Sequence, residues 1–117
     1  MTEGAAKPWP VEIRLNPAKD QLTVAFDSGE HFVLPAEYLR VESPSAEVQG
    51  HGQGQKQIVT GKQAVAIAAL EPVGNYAVRI VFDDGHDTGL FSWDYLHELG
   101  REQRVKWATY LKARGKA

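Results

Sequence analysis

The feature that most limits how this chain can fold is an internal repeat. LTVAFDSGEHFVLPAEYLR, beginning at Leu22, matches VRIVFDDGHDTGLFSWDYLHE, beginning at Val78. Phe26 falls over Phe82, Gly29 over Gly85 and, after one inserted residue, Tyr38-Leu39 over Tyr95-Leu96. Each copy reads as strand, turn, strand and a helical turn carrying Tyr-Leu. Leu22, Val24 and Phe26 alternate with polar or small residues, and Tyr76, Val78, Ile80 and Phe82 fall on one face at the same period of two. Asp27-Ser28-Gly29 and Asp83-Asp84-Gly85 reverse the chain, because Asp and Gly tolerate the positive φ that hairpin turns require. The pattern predicts an α+β fold: a small, mostly antiparallel sheet made by two hairpin-plus-helix repeats around one core.

The repeat extends backward. Val11, Ile13 and Leu15 alternate as a half-buried strand, Asn16-Pro17-Ala18-Lys19-Asp20 turns the chain, and Ala64 to Leu70 is the counterpart strand, cut short by Glu71-Pro72-Val73-Gly74-Asn75. Pro35 suits the first position of a short helix, and Ser92 or Asp94 can cap a second. After Gly100, Val105, Ala108 and Leu111 with Trp107 beside them predict a C-terminal helix packed on the sheet by one apolar stripe. Residues 1–10, rich in Pro, Ala and Gly, are expected to form a flexible tail pinned by Trp9, and residues 11–115 a single domain.

Composition narrows the function classes. With 117 residues, 43% hydrophobic, and no run approaching a membrane span, one soluble domain is expected. Thirteen basic and fifteen acidic residues give a net charge of -2, which provides no basic field for nucleic acid or an anionic membrane. The absence of cysteine excludes disulfides and thiolate sites, and without a charged-then-apolar leader the expected compartment is the cytoplasm. Residues 42–57, with alternating glycines at 50, 52 and 54, lack the strand-to-helix setting of a dinucleotide fingerprint, and Gly61-Lys62 lacks the rest of a phosphate loop.

Chemistry-bearing residues concentrate in FDDGHDTGLFSWDYLHELG, Phe82 to Gly100. His86, flanked by Asp84 and Asp87, is the candidate anchor of a metal site, with His51 or His31 as further donors; local hydrogen bonding explains the same residues without a metal. No His-x-Asp or His-x-Glu occurs for an iron facial triad, the EF-hand spacing fails, and Ser92 has no evident His-Asp partnership. Phe91, Trp93 and Tyr95, with His51 on the neighbouring loop, are the candidate partner-binding residues.

Tyr76-Ala77-Val78-Arg79-Ile80 followed by FDDGHDTGLFSWDYLHELG, together with Leu39-Arg40-Val41-x-SPSAEVQGHG, resembles the bacterial branch of the gamma-butyrobetaine hydroxylase N-terminal-like family over roughly residues 10–100. The resemblance implies an accessory module that stands alone, precedes an iron- and 2-oxoglutarate-dependent oxygenase domain, or is fused to an iron-sulfur carrier ATPase. It also implies a zinc position in the eukaryotic members, held by three cysteines and a histidine. Here the cysteine positions are Ser43, Ser45 and Val48, and only His86 matches a ligand. The resulting expectation is a non-catalytic docking domain without a cofactor, its partner an iron-sulfur carrier or an oxygenase. The alternative is a small zinc- or iron-binding protein anchored on His86.

Overall fold

The computed structural model describes residues 7–44 and 61–115. His51 and most of the 42–57 loop, with the expectations placed on them, lie outside the described residues. Strands β1 (Pro10–Leu15), β2 (Gln21–Phe26) and β3 (His31–Pro35) form one antiparallel sheet in that order, followed by helix α1 (Ala36–Val41). Strands β4 (Ile67–Val73), β5 (Ala77–Phe82) and β6 (Leu90–Ser92) form the second, followed by helices α2 (Trp93–Arg101) and α3 (Gln103–Gly115). Leu22, Val24, Phe26 and Leu34 of the first unit and Ile67, Ile80, Phe82 and Phe91 of the second join in one buried cluster.

The repeat holds at the level of single hydrogen bonds. The Phe26 amide donates to Glu30 O at 2.8 Å and the Phe82 amide to His86 O at 2.9 Å, each around a glycine of positive φ, 95° at Gly29 and 93° at Gly85. The Asp27 amide donates to Trp9 O and the Asp83 amide to Ala66 O, both at 2.9 Å. The side chains of the same two aspartates accept from the amides of Trp9 and Ala66, at 3.4 and 3.0 Å. Strands β1 and β4 even carry the same irregularity, one residue after their first pairing with Phe26 and Phe82. The inserted residue falls in 87–89: Leu22 pairs with Leu34 and Val78 with Phe91, which puts Phe32 over Gly89 and all later positions 57 apart.

Four expectations need correction. Strand β4 runs to Val73 instead of ending at Leu70, because it is an edge strand and Pro72 can sit there with no ladder donor. Tyr76 is 55% exposed, since it closes the turn before β5 begins at Ala77. Residues 7–10 are held on the fold: Pro10 opens β1 and the Trp9 backbone is bonded to Asp27. In α3 the packed face is Trp107 and Tyr110 with Arg114, while Val105 is 67% exposed, because the two aromatics bury far more apolar area than Val and Ala.

The two units are tied by a reciprocal pair of bonds. Tyr38 Oη of α1 donates to Leu99 O of α2 at 2.7 Å, and Tyr95 Oη of α2 donates to Glu42 O, the C-cap of α1, at 2.5 Å. Each acceptor is a carbonyl near a helix end, where the helix itself offers no donor. Tyr38→Phe and Tyr95→Phe should each lower the unfolding free energy by about 1 kcal/mol, because a hydrogen bond to a helix-end carbonyl is lost. Urea denaturation measures this, and a loss at only one position would show that the ties are not equivalent.

Candidate functional site

Two places gather the polar and aromatic side chains that could act on another molecule. The first surrounds the β5–β6 turn. Asp84 Oδ2 accepts from Arg40 Nε at 2.9 Å and lies 2.7 Å from Lys62 Nζ, and Asp84 Oδ1 accepts from the His86 amide at 3.0 Å. Arg40 arrives from α1 with its side chain 3% exposed, so its charge is neutralised inside the protein by a carboxylate from the other repeat. Ser43 Oγ and His86 Nε2 are 2.9 Å apart, and the backbone of Gly89 lies so near that an added Cβ would sit 2.3 Å from Ser43 Oγ. Burial acts to raise the Asp84 pKa, but the bonds from Lys62, the His86 amide and Arg40 outweigh it and hold the carboxyl well below its usual range.

The three candidate metal ligands do not converge. Asp84 faces Arg40 and Lys62, His86 faces Ser43, and Asp87 turns to Arg79, whose Nη1 is 3.5 Å from its carboxylate and donates to its carbonyl at 3.0 Å. Among the described residues no group of three or more His, Asp or Glu is placed to hold a metal ion. The donors do not fit the zinc that the family resemblance implies: at the matching position His86 meets a serine hydroxyl, a poor zinc ligand beside a thiolate.

The cluster has a twin. In the first repeat, His97 Nε2 of α2 lies 2.7 Å from Glu30 Oε1 of the β2–β3 turn, and His97 is the residue equivalent to Arg40. Each repeat therefore sends a nitrogen side chain from its helix to a carboxylate on the other repeat's turn. The His97 hydrogen bond, followed by Ser28, lowers the Glu30 pKa. Where Gly89 abuts Ser43, the equivalent Phe32 abuts Gly100, within 2.3 Å of a Cβ placed there.

The candidate partner residues separate. Phe91 is fully buried and is not a surface residue: it sits on the core side of β6, its ring 6.0 Å from Tyr95. Trp93 does not share the strand with Phe91: Ser92 caps α2, its Oγ accepting from the Tyr95 amide at 3.1 Å, and Trp93 is the first helical residue. Tyr95 is half-buried and borders Glu42, while Trp93 turns the other way, into a cleft of about 390 Å³ lined by Lys7, Trp9, Asn75, Tyr76 and Asp94. Trp93 Nε1 donates to Asn75 O at 2.9 Å, and its ring meets Trp9 edge-on at 6.5 Å. The sequence reading missed Tyr76, Arg40 and Lys62 as site residues. Arg40 reaches Asp84 across the repeats and Lys62 reaches it from the segment before β4, so no local pattern marks them.

Because the Asp84 pKa is lowered by folding, its contribution to stability is present above the unfolded carboxyl value of about 3.9 and is lost as pH falls below it. Asp84→Asn should be less stable than wild type at pH 7 and show a flatter loss below pH about 4 in thermal melts. Wild-type protein should carry no stoichiometric zinc by elemental analysis. Ser43→Cys, Ser45→Cys and Val48→Cys together should gain about one equivalent, removed again by His86→Ala. Zinc in desalted wild type, or none in the triple variant, would count against the His86 position as the degenerate ligand site.

No curated protein matches the chain. Among solved structures it is similar to a protein solved by solution NMR, at 48% identity and a TM-score of 0.80, covering 100% of this chain and 89% of that one. A second NMR structure is 46% identical, with a TM-score of 0.79 over 92% of this chain and 85% of that one. A crystal structure from Acidithiobacillus ferrooxidans, of a protein with unknown function in the DUF971 family, is 42% identical, with a TM-score of 0.65 over 78% of this chain and 91% of that one. The model of the gamma-butyrobetaine hydroxylase-like, N-terminal family matches residues 13–97, most of both repeats, and the chain belongs to that family.

Proposed function

We propose that this domain is a non-catalytic accessory module of the cytoplasm that docks on a protein partner, and that the partner is an iron-sulfur carrier ATPase or a 2-oxoglutarate oxygenase. The observation that carries the reading is the division of labour between the two sites. The polar groups around His86 are engaged with one another, and the tie of Arg40 to Asp84 recurs as His97 to Glu30, so contacts within the fold occupy them. The aromatic cleft has no such account. Trp9 is 50% exposed and Tyr76 55%, and both stand beside Trp93 in one depression. Exposed aromatics gathered in a cleft are the side chains in which binding energy concentrates. The two partner classes come from the company the family keeps.

The reading is tested by retention of purified candidate partners of both classes on immobilised domain. Wild type should retain one class, and Trp9→Ala with Tyr76→Ala should lose at least about tenfold in affinity while keeping the wild-type melting profile. If neither class is retained, or the double variant binds undiminished, this docking surface is wrong.

A further inference from the structure

The repeat allows the aromatic cleft to be compared with the same place in the other half of the molecule. The Trp93 amide donates to Tyr76 O at 3.1 Å, as the Ala36 amide donates to Asp20 O at 2.8 Å. With the Asp27–Trp9 and Asp83–Ala66 bonds, this makes Trp9, Tyr76 and Trp93 the equivalents of Ala66, Asp20 and Ala36. The same backbone bonds are therefore made at the equivalent positions by Ala66, Asp20 and Ala36, none of them aromatic. The three aromatics, Trp9 from the first repeat and Tyr76 and Trp93 from the second, are not a requirement of the fold.

The neighbouring acid tells what such a place accepts. Asp94 is equivalent to Glu37, one residue into each helix. Glu37 is occupied: Arg114 Nη1 and Tyr110 Oη each lie 2.7 Å from its Oε2, and the Arg114 guanidinium sits 5.7 Å from the centre of the Tyr110 ring. The first repeat thus holds a guanidinium between a carboxylate and an aromatic face, supplied by the chain's own last helix. At the second repeat the carboxylate and the aromatic faces are present, but Asp94 is 59% exposed and its near cation is Lys7, at 3.9 Å and 85% exposed. A pair so exposed and so long contributes little and is readily displaced.

We infer that the Trp9, Tyr76, Trp93 and Asp94 cleft receives an arginine side chain of the docking partner, its guanidinium over the aromatic faces and against the Asp94 carboxylate. The cleft is prepared for it. The Trp93 indole is fixed by its bond to Asn75 O and the Trp9 backbone by Asp27, and the Tyr76 ring lies over Gly74, in space that a Cβ there would crowd. Arginine suits the site better than lysine because its planar, weakly hydrated cation stacks on rings and donates to a carboxylate at once. The inference rests on the docking reading and gives the cleft its ligand chemistry.

The test uses the full chain and two short capped peptides that differ only in carrying arginine or its neutral isostere citrulline. Binding is read from the three indole N–H signals of Trp9, Trp93 and Trp107 in NMR titrations. The arginine peptide should shift Trp9 and Trp93 saturably and leave Trp107 in place, with the citrulline peptide about tenfold weaker. Asp94→Asn and Tyr76→Ala should each weaken the arginine peptide severalfold at an unchanged melting temperature, and Lys7→Met should leave its affinity equal or raise it. Equal binding of citrulline, no saturable shift, an equal response of Trp107, or loss of binding in Lys7→Met each overturns the inference. Partner retention that depends on the cleft, with no preference for arginine over citrulline, would overturn this inference and leave the docking reading standing.

Discussion

The structure depends on two tyrosine hydroxyls that each repair the other repeat's helix. Helix α1 has only six residues, and the carbonyl of its C-cap Glu42 lies past the last donor of the helical ladder. Tyr95 supplies a donor to Glu42 O, and Tyr38 supplies one to Leu99 O. Both phenols are pushed to higher pKa, chiefly by burial, so they remain protonated donors across the ordinary pH range. Each repeat thus completes the other's helix end, which is a physical reason for the duplicated unit to persist as a pair.

The charged ties follow the same rule. Arg40 reaches from α1 to Asp84 on the second turn, and His97 reaches from α2 to Glu30 on the first. The two differ in permanence. A guanidinium is charged at every physiological pH, so the Arg40–Asp84 tie is constant, and its near-complete burial makes it costly to break from one side. His97 packs edge-on against the rings of Phe26 and Phe32, at 5.1 and 6.0 Å, so apolar contact holds that side together as well. The same connection is thus made once mainly by charge and once mainly by packing.

Local signals were legible in the sequence; the packing partners were not. The Asp-x-Gly turns, the alternation in Leu22, Val24 and Phe26, and the equivalence of Phe26 and Phe82 all arise within a few residues and appear in the structure as expected. Tyr76 fits the alternation of β5, yet the turn at Gly74 places it outside the strand and in solvent. Phe91 and Trp93 share a parity that Ser92 breaks by starting a helix between them. In α3 the stripe through Val105 competes with one through Trp107 and Tyr110, and the choice is made by Tyr38, whose ring meets Trp107 edge-on at 5.8 Å. That contact spans most of the chain, and no window of sequence contains it.

A duplicated fold carries its own control for separating structure from function. Features that recur at equivalent positions, such as the Asp27 and Asp83 caps, the strand irregularities and the helix-to-turn ties, are what this architecture needs in order to close. Side chains present in one copy only answer to something else. By that criterion the Arg40–Asp84 tie, matched by His97–Glu30, belongs to the architecture, while Ser43 and His86 are particular to their copy and are engaged with each other at 2.9 Å. Trp9, Tyr76 and Trp93 have small or polar twins, and two of them face solvent, where large aromatic surface costs solubility. Retaining them there needs a compensating use, and a binding surface is the use that aromatic clefts most directly serve.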